Sequence, residues 1–264
     1  MPGISVFLIT RNEEARLDRT LAALTWADQI VVVDSGSTDA TEEIARGAGA
    51  EFHQREWHGY GSQKVFAEGL CRNDWVLNVD ADEVVTPDLA TEIQAVVRGD
   101  AGPAGYKIRI LNIYPGDDRP RPFANDYNVV RFYHRSVAGY SDHPLFDRVE
   151  LHGDPRQLRA PIHHYPLTSW HHFVAKENDY STYNASQASP RHKSGLILRL
   201  IVEMPVSFLK FYFLRRHLFG GWKGFMFALT AAFARTLRVA KMLERNERRT
   251  GFPDGFGAAR KHER

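Results

Sequence analysis

Apolar residues in the first half of the chain fall in short unbroken runs separated by stretches with helical spacing. Ile4-Ser5-Val6-Phe7-Leu8-Ile9 is rich in β-branched and aromatic residues, and Thr10-Arg11-Asn12-Glu13-Glu14 then opens a helix-period pattern through Leu17, Leu21 and Leu24. Ile30-Val31-Val32-Val33 is the kind of continuous apolar run that is buried on both faces of a parallel sheet, and it ends at Asp34-Ser35-Gly36-Ser37-Thr38-Asp39. A helix is predicted from Ala40 to about Ala48, capped by Ser37 or Thr38, with Glu42 and Glu43 suited to its positive first turn. Glu51-Phe52-His53 reads as a short strand, residues 62–70 as a helix, and Trp75-Val76-Leu77-Asn78-Val79 as a further buried strand. The alternation predicts an α/β fold: a mostly parallel sheet, helices on both faces, and right-handed crossovers. Three loops, residues 10–13, 34–39 and 80–83, then converge on the carboxyl edge of the sheet, where open α/β sheets bind ligands.

The third of these loops is Asp80-Ala81-Asp82-Glu83. Two carboxylates spaced i, i+2 at a strand end can share one hard divalent cation, Mg²⁺ or Mn²⁺, which takes its other ligands from water and substrate phosphates. The alternative is a solvated acidic turn that caps the helix begun by Thr86-Pro87. Neither G-x-G-x-x-G nor G-x-x-x-x-G-K-[ST] occurs, so phosphate binding has to rest on metal and side chains instead of a glycine-rich cradle.

Composition and charge add two constraints. With 264 residues and 43% hydrophobic content the chain can build a substantial core, which excludes disorder as its main state. The single cysteine, Cys71, excludes an internal disulfide and reads as a small buried apolar residue, and the chain begins directly in a strand-like run with no signal-peptide pattern, which places it on the cytoplasmic side. The net charge of +2 conceals an asymmetry: residues 1–190 hold 18 Lys and Arg against 27 Asp and Glu, whereas residues 191–264 hold 16 against 5. An acidic body with a basic tail implies two jobs.

Taken in order and spacing, residues 4–14, the run VVVDSGSTDAT at 31–41 and WVLNVDADE at 75–83 resemble the nucleotide-sugar domain of inverting family 2 glycosyltransferases with the GT-A fold. The nearer resemblance is to the branch containing lipopolysaccharide core glucosyltransferases. It continues through Gly59-Tyr60-Gly61-Ser62-Gln63-Lys64, His163-His164-Tyr165 and residues 211–224. The resemblance implies that Asp34 binds the donor nucleobase, commonly uracil, and that Thr10, Asn12, Glu13 and Gly36 belong to the loops around the nucleoside. It puts Gln63 and Lys64 where the family holds the donor, although a solvated helix face is the other reading of Lys64. It assigns Asp80 to ribose or metal, Asp82 to the metal directly, and His164 to the metal or diphosphate.

Residues 105–110 and 128–133 alternate as strands, joined by a proline-rich loop at 115–122. Relatives in the family usually carry a His-Glu pair where this chain has Phe146-Asp147. Inverting transfer needs a general base to take the acceptor proton, and Asp147 is the candidate; the other reading is a salt bridge to Arg148 or a neighbouring strand. Six histidines lie between 143 and 172, but without an H-E-x-x-H or paired C-x-x-C motif they do not define a zinc site.

Thr168-Ser169-Trp170 starts a helix, and residues 186–195 form a polar linker. Residues 196–214 are apolar but interrupted by Arg199, Glu203, Pro205 and Lys210, short of the roughly 18 uninterrupted apolar residues of a spanning helix. From Phe225, apolar positions recur at helical spacing beside a stripe of Arg235, Arg238, Lys241, Arg245 and Arg248. Such a helix suits an anionic membrane surface, or packs on protein or in a homo-oligomer. Residues 251–264 are expected to be a loose end.

The expected organisation is therefore residues 1–165 as a GT-A nucleotide-sugar and acceptor domain, 166–190 as a connecting helix and linker, and 191–264 as a basic amphipathic membrane-associating tail. The expected function is metal-dependent inverting transfer from a nucleotide-sugar donor, a UDP-hexose, to a hydroxyl of a lipid-linked glycan acceptor such as lipopolysaccharide core. The enzyme would be peripheral on the cytoplasmic face of the inner membrane. Transfer to a polyprenyl phosphate is the near alternative; nucleotidyltransfer, which usually shows a G-x-G-T loop missing here, and a non-catalytic membrane-surface scaffold are the distant ones. No nucleic-acid-binding module is recognisable.

Overall fold

The structure is a computed structural model that describes residues 2–99, 102–124, 127–142, 147–189 and 192–249. The chain divides into two compact units, Met1–Pro120 with Ala124–Thr168, and Arg121–Phe123 with Ser169–Arg264. The first unit runs β1 (Ile4–Thr10), α1 (Leu17–Ala22), β2 (Gln29–Asp34), α2 (Thr41–Gly47), β3 (Glu51–Gln54), α3 (Tyr60–Gly69), β4 (Trp75–Asn78), β5 (Glu83–Val85), α4 (Pro87–Arg98), β6 (Gly105–Asn112), β7 (Tyr127–His134), β8 (Ala138–Tyr140), β9 (Val149–Leu151), β10 (Arg156–Gln157) and β11 (Ile162–His164). Its main sheet has the order β3-β2-β1-β4-β7-β6-β11-β5, with β10 beside β6, while β8 and β9 form a separate pair.

The three apolar runs of the N-terminal half, with the short strand at Glu51–Gln54, are the parallel strands β1 to β4. The mixed character enters with β7, which runs antiparallel between β4 and β6, and with β5, antiparallel to β11. Period-2 alternation divides these strands between two cores. Ile4, Val6, Leu8, Val32, Trp75 and Leu77 face the side covered by α1, α2 and α4. Phe7, Val31, Val33 and Val76 face α3 and the β8–β9 pair. Each fully buried Leu or Ile contributes about 1.5–3 kcal/mol, so a register slip that turned either set outward would cost more than the domain's whole stability. Cys71, just after α3, is buried in the second core, as its sequence context suggested.

Two local expectations are corrected. The helix expected to open at Thr10–Glu14 begins at Leu17 instead, because Asn12 adopts a left-handed φ of 54° and the loop's polar groups bind the next loop. Neither Ser37 nor Thr38 caps α2; the Asp39 carboxylate accepts from Thr41 N at 3.1 Å, while Ser37 and Thr38 are engaged elsewhere.

The second unit holds α5 (Trp170–Gln187), α6 (Lys193–Leu209) and α7 (Gly221–Arg249), with a wide turn at Lys210–Leu214 and a tight one at His217–Gly220 between the last two. Ser169 caps α5 by accepting from His172 N. The helices meet over Ala185, Leu196, Val239 and Met242. Much of the basic stripe of α7 points inward. Arg235 joins Arg199 on Glu203, at 2.9 and 2.6 Å; Lys241 reaches Asn178, Ser181 and Thr182 of α5; and Arg245 donates to the carbonyls of Ala185 and Ala188, closing the C-terminal end of α5. No helix of the described residues is long and apolar enough to cross a membrane. Residues 251–264 lie outside the described residues.

Candidate active site

The carboxyl ends of β1, β2 and β4 lie at one edge, and the first two loops are laced together there. Asp34, fully buried, accepts from Gly36 N at 2.9 Å, Ser37 N at 2.7 Å and Thr10 Oγ1 at 3.0 Å, and Ser37 Oγ donates to it as well. Asn12 N donates to Ser37 Oγ at 2.7 Å, Thr38 N donates to Asn12 Oδ1 at 2.8 Å, and Glu13 N donates to Thr41 Oγ1 at 2.8 Å. The four acceptor sites of the Asp34 carboxylate are thus filled by its own loops. Gly36 stands at φ 86°, where a side chain is strained, which is why glycine follows the Asp-Ser pair.

Gln63 and Lys64 enter from the N-terminal half of α3, and both are buried. Gln63 Nε2 donates to Ser35 Oγ at 2.9 Å, whereas its Oε1 is buried with no hydrogen-bond partner. Lys64 is 1% exposed, so the solvated-face reading is excluded. Its ammonium bridges Asp80 at 3.0 Å and Asp147 at 2.7 Å. Burial alone would lower the Lys64 pKa, but Asp80 above all reverses that and raises it, so the bridge stays charged.

Asp80 also receives Arg131 of β7 at 2.7 Å, and the same guanidinium reaches Glu83 at 3.1 Å and Asn78 Oδ1. Burial opposes charge on Asp80, yet Arg131 and Lys64 hold its carboxyl well below the usual range. For Glu83, burial outweighs Arg131 and pushes the pKa up. Asp147 keeps 45% of its side chain exposed, and Lys64 is its only hydrogen-bond partner among the described residues. Phe146, which precedes it, lies outside the described residues.

Asp82 is separate from this cluster. Its Oδ2 faces His164 Nε2 and Arg16 Nη1, each at 3.2 Å, and Arg16 is also paired with Glu13 at 2.6 Å. His164 arrives from β11, which β6 and β5 hold on either side, and its Nδ1 is 2.8 Å from Asn112 Oδ1. Burial would lower the His164 pKa, but the Asp82 hydrogen bond and the charges of Asp82, Glu83 and Asp80 raise it.

These residues fit a divalent ion. With the Nδ1 proton donated to Asn112, an ion would replace the Nε2 proton that otherwise lies between His164 and Asp82, the usual outer arrangement of a ligating histidine. The 3.2 Å separation of Asp82 Oδ2 and His164 Nε2 matches two neighbouring ligands about 2.1 Å from one ion. The described residues contain no group of three or more His, Cys, Asp or Glu around such a point, so further ligands have to come from water or substrate. Both oxygens of Asp80 are already engaged by cations, Oδ1 by Lys64 and Oδ2 by Arg131.

Two clefts flank the edge. One of about 470 Å³ is lined by Ile9, Thr10, Arg11, Glu13, Trp57 and Tyr60, with the last two rings edge-to-face at 4.8 Å. The other, about 290 Å³, includes Arg16, Arg19, Asp82, Tyr114, Asp117 and Tyr165.

Arg131 and Tyr140, whose hydroxyl donates to Asn78 Oδ1 at 2.7 Å, were not evident in the sequence. The one signal was a charged residue inside the apolar run Val129-Val130-Arg131-Phe132-Tyr133, a pattern that a buried strand tolerates only with a partner.

Comparison with known proteins places the chain in a family. The sequence pattern of Glycosyl transferase family 2 matches residues 5–143. An uncharacterized glycosyltransferase of Rickettsia prowazekii is 37% identical over 92% of this chain and 87% of its own length. The lipopolysaccharide core biosynthesis glycosyltransferase LpsC of Rhizobium meliloti is 29% identical over 92% and 93%. Among solved structures, glucosyl-3-phosphoglycerate synthase from Mycobacterium tuberculosis, in complex with Mn²⁺, uridine diphosphate and glucosyl-3-phosphoglycerate, is 27% identical over 44% of this chain and 45% of that one, with a TM-score of 0.34. The sheet with its loops is a GT-A fold. The chain belongs to glycosyl transferase family 2, and its activity is glycosyl transfer.

Proposed function

We propose that the enzyme inverts a sugar as it moves it from a UDP-hexose to a hydroxyl of a lipid-anchored glycan of the lipopolysaccharide core type. The single observation that carries the chemistry is the convergence of Asp82 on His164, from a loop whose Asp80 pairs with the buried Lys64 that also holds Asp147. The acceptor class is supported by the likeness to LpsC, which extends over nearly the full length of both chains.

The nucleoside lies in the cleft beside Thr10, Glu13, Trp57 and Tyr60. Thr10 and Glu13 of its wall are tied to the second loop, Thr10 through Asp34 and Glu13 through Thr41, so the wall is fixed before a donor arrives. In this reading Asp34 shapes the loop and does not itself take the base. Asp82 and His164 would hold Mg²⁺ or Mn²⁺, which would supply positive charge to stabilise the leaving diphosphate. Arg16 turns between Asp82 and phosphate oxygens. Lys64 and Arg131 keep Asp80 ionised and fixed. The free oxygen of Asp147 takes the acceptor proton while Lys64 holds the carboxylate in place. A lipid-borne acceptor keeps the protein at the cytoplasmic face of the inner membrane, as a peripheral enzyme.

A panel of nucleotide sugars with a core-oligosaccharide acceptor, with and without Mn²⁺, tests the reading. Asp147→Asn should lower kcat by about 10²–10⁴ with little change in donor KM. Near-normal turnover of that variant would move the base elsewhere or point to a phosphate acceptor.

A further inference from the structure

The helical unit has an apolar face that its described residues leave exposed. On α6, Leu196, Glu203 and Ser207 are buried toward α7, while Leu198, Ile201, Val202, Val206 and Leu209 are exposed on the opposite side, Ile201 at 69%. At 100° per residue these five fall within one half of the helix circumference, and no charged residue lies among them. The face runs on through Phe213 and Leu214 of the wide turn to Trp222 at the start of α7, the latter two 75% and 65% exposed. A bare apolar patch of this extent marks a binding surface.

Charge selects the partner. Between Tyr180 and Leu243 the only acidic residue is Glu203, and it is buried under Arg199 and Arg235. Lys210, Arg215 and Arg216, all exposed, stand at one end of the face. A second copy docked through the same face would add cations and bring no exposed carboxylate to meet them. An anionic bilayer supplies both an apolar phase for Ile201, Val206 and Leu214 and negative headgroups for the basic end, with Trp222 suited to the boundary.

We infer that α6 and the turn that follows it, and not the basic stripe of α7, form the docking surface for an anionic lipid bilayer. The inference deepens the lipid-acceptor reading proposed above. Donor binding by the first unit, measured in solution, is independent of it.

The test is flotation of the full chain with vesicles of phosphatidylcholine, with and without about one-third phosphatidylglycerol, alongside UDP titration of the same samples. Intact protein should float with anionic vesicles, and Trp222 emission should shift to the blue. Lys210→Gln/Arg215→Gln/Arg216→Gln should weaken that partitioning by up to about 100-fold, from about five-fold per basic residue. Leu198→Gln/Ile201→Gln/Val206→Gln, at exposed positions that leave the core intact, should abolish the blue shift and float weakly, with an unchanged circular dichroism spectrum. Arg248→Gln, on the outward end of α7, should float as the parent does. Equal flotation of parent and both triple variants would overturn the inference, as would an intact chain that ignores anionic vesicles. A stable dimer dissociated by the apolar variant would assign the face to a second copy. Loss of UDP binding with flotation preserved would instead fail the donor-site reading and leave the docking surface standing.

Discussion

Arg131→Gln probes the part of the site that carries the largest electrostatic stakes. The guanidinium is buried and serves Asp80 at 2.7 Å and Glu83 at 3.1 Å. Without it Asp80 keeps Lys64, but Glu83, 2% exposed, retains only the hydrogen bond from Asp80 N at 2.9 Å. Removing one partner from a buried ion pair costs about 3–5 kcal/mol. Protonation of Glu83 limits that cost: burial already pushes its pKa up, Arg131 is the main opposing charge, and its loss raises the pKa further. A carboxyl whose folded pKa exceeds its unfolded value binds more protons in the native state, so stability falls as pH rises between the two values, by up to about 1.4 kcal/mol per pH unit. The deficit of the variant should therefore be smallest near pH 5 and about 1–3 kcal/mol larger at pH 8. Urea unfolding at the two pH values reads it through Trp75, which stacks on Phe132, the neighbour of Arg131, at 5.0 Å. The midpoint should shift with m unchanged. A loss under about 1 kcal/mol, or one identical at both pH values, would refute the assignment of Arg131 as the counter-charge of this cluster.

Two further outcomes follow from the structure. Burial opposes charge on Glu203, yet hydrogen bonds and charge from Arg199 and Arg235 bring its pKa to about 2; the resulting stabilisation of the helical unit, about 1–3 kcal/mol, is present above the unfolded pKa near 4.3 and lost as pH falls toward 2, so Glu203→Gln should flatten the acid limb of helix melting followed by circular dichroism. Gly36→Ala meets no atom within 4 Å, so its cost is backbone strain alone, about 1–2 kcal/mol in thermal unfolding, with UDP affinity reduced because the loop anchored on Asp34 has to shift.

The sequence made the donor half legible because parallel strands buried on both faces read as unbroken apolar runs, and the polar residues that follow them stand at the carboxyl edge. That pattern placed the loops of Thr10, Asp34, Asp80 and Asp82 at the edge, and the family resemblance assigned their roles. What stayed hidden depends on pairing across long separations. Arg131 meets Asp80 only because β7 inserts antiparallel beside β4, and Asp147 meets Lys64 across 83 positions. A solvated helix face stood as the other reading of Lys64 because a one-residue view cannot show the two carboxylates that hold it buried. In the tail, charge and periodicity located a helix with a basic stripe but not the direction the stripe faces. Arg235, Lys241 and Arg245 turn inward because Glu203 and the end of α5 need donors, and the apolar face of α6 is left exposed.

Calorimetric titration of UDP into the full chain, with Mn²⁺ and with chelator, tests the central claim most directly. If Asp82 and His164 hold the ion that receives the donor diphosphate, binding requires the metal and falls by at least about 10²-fold in Asp82→Asn, while the circular dichroism spectrum and unfolding midpoint stay close to those of the parent. UDP affinity that is the same with Mn²⁺, with chelator and in the Asp82→Asn protein would contradict it.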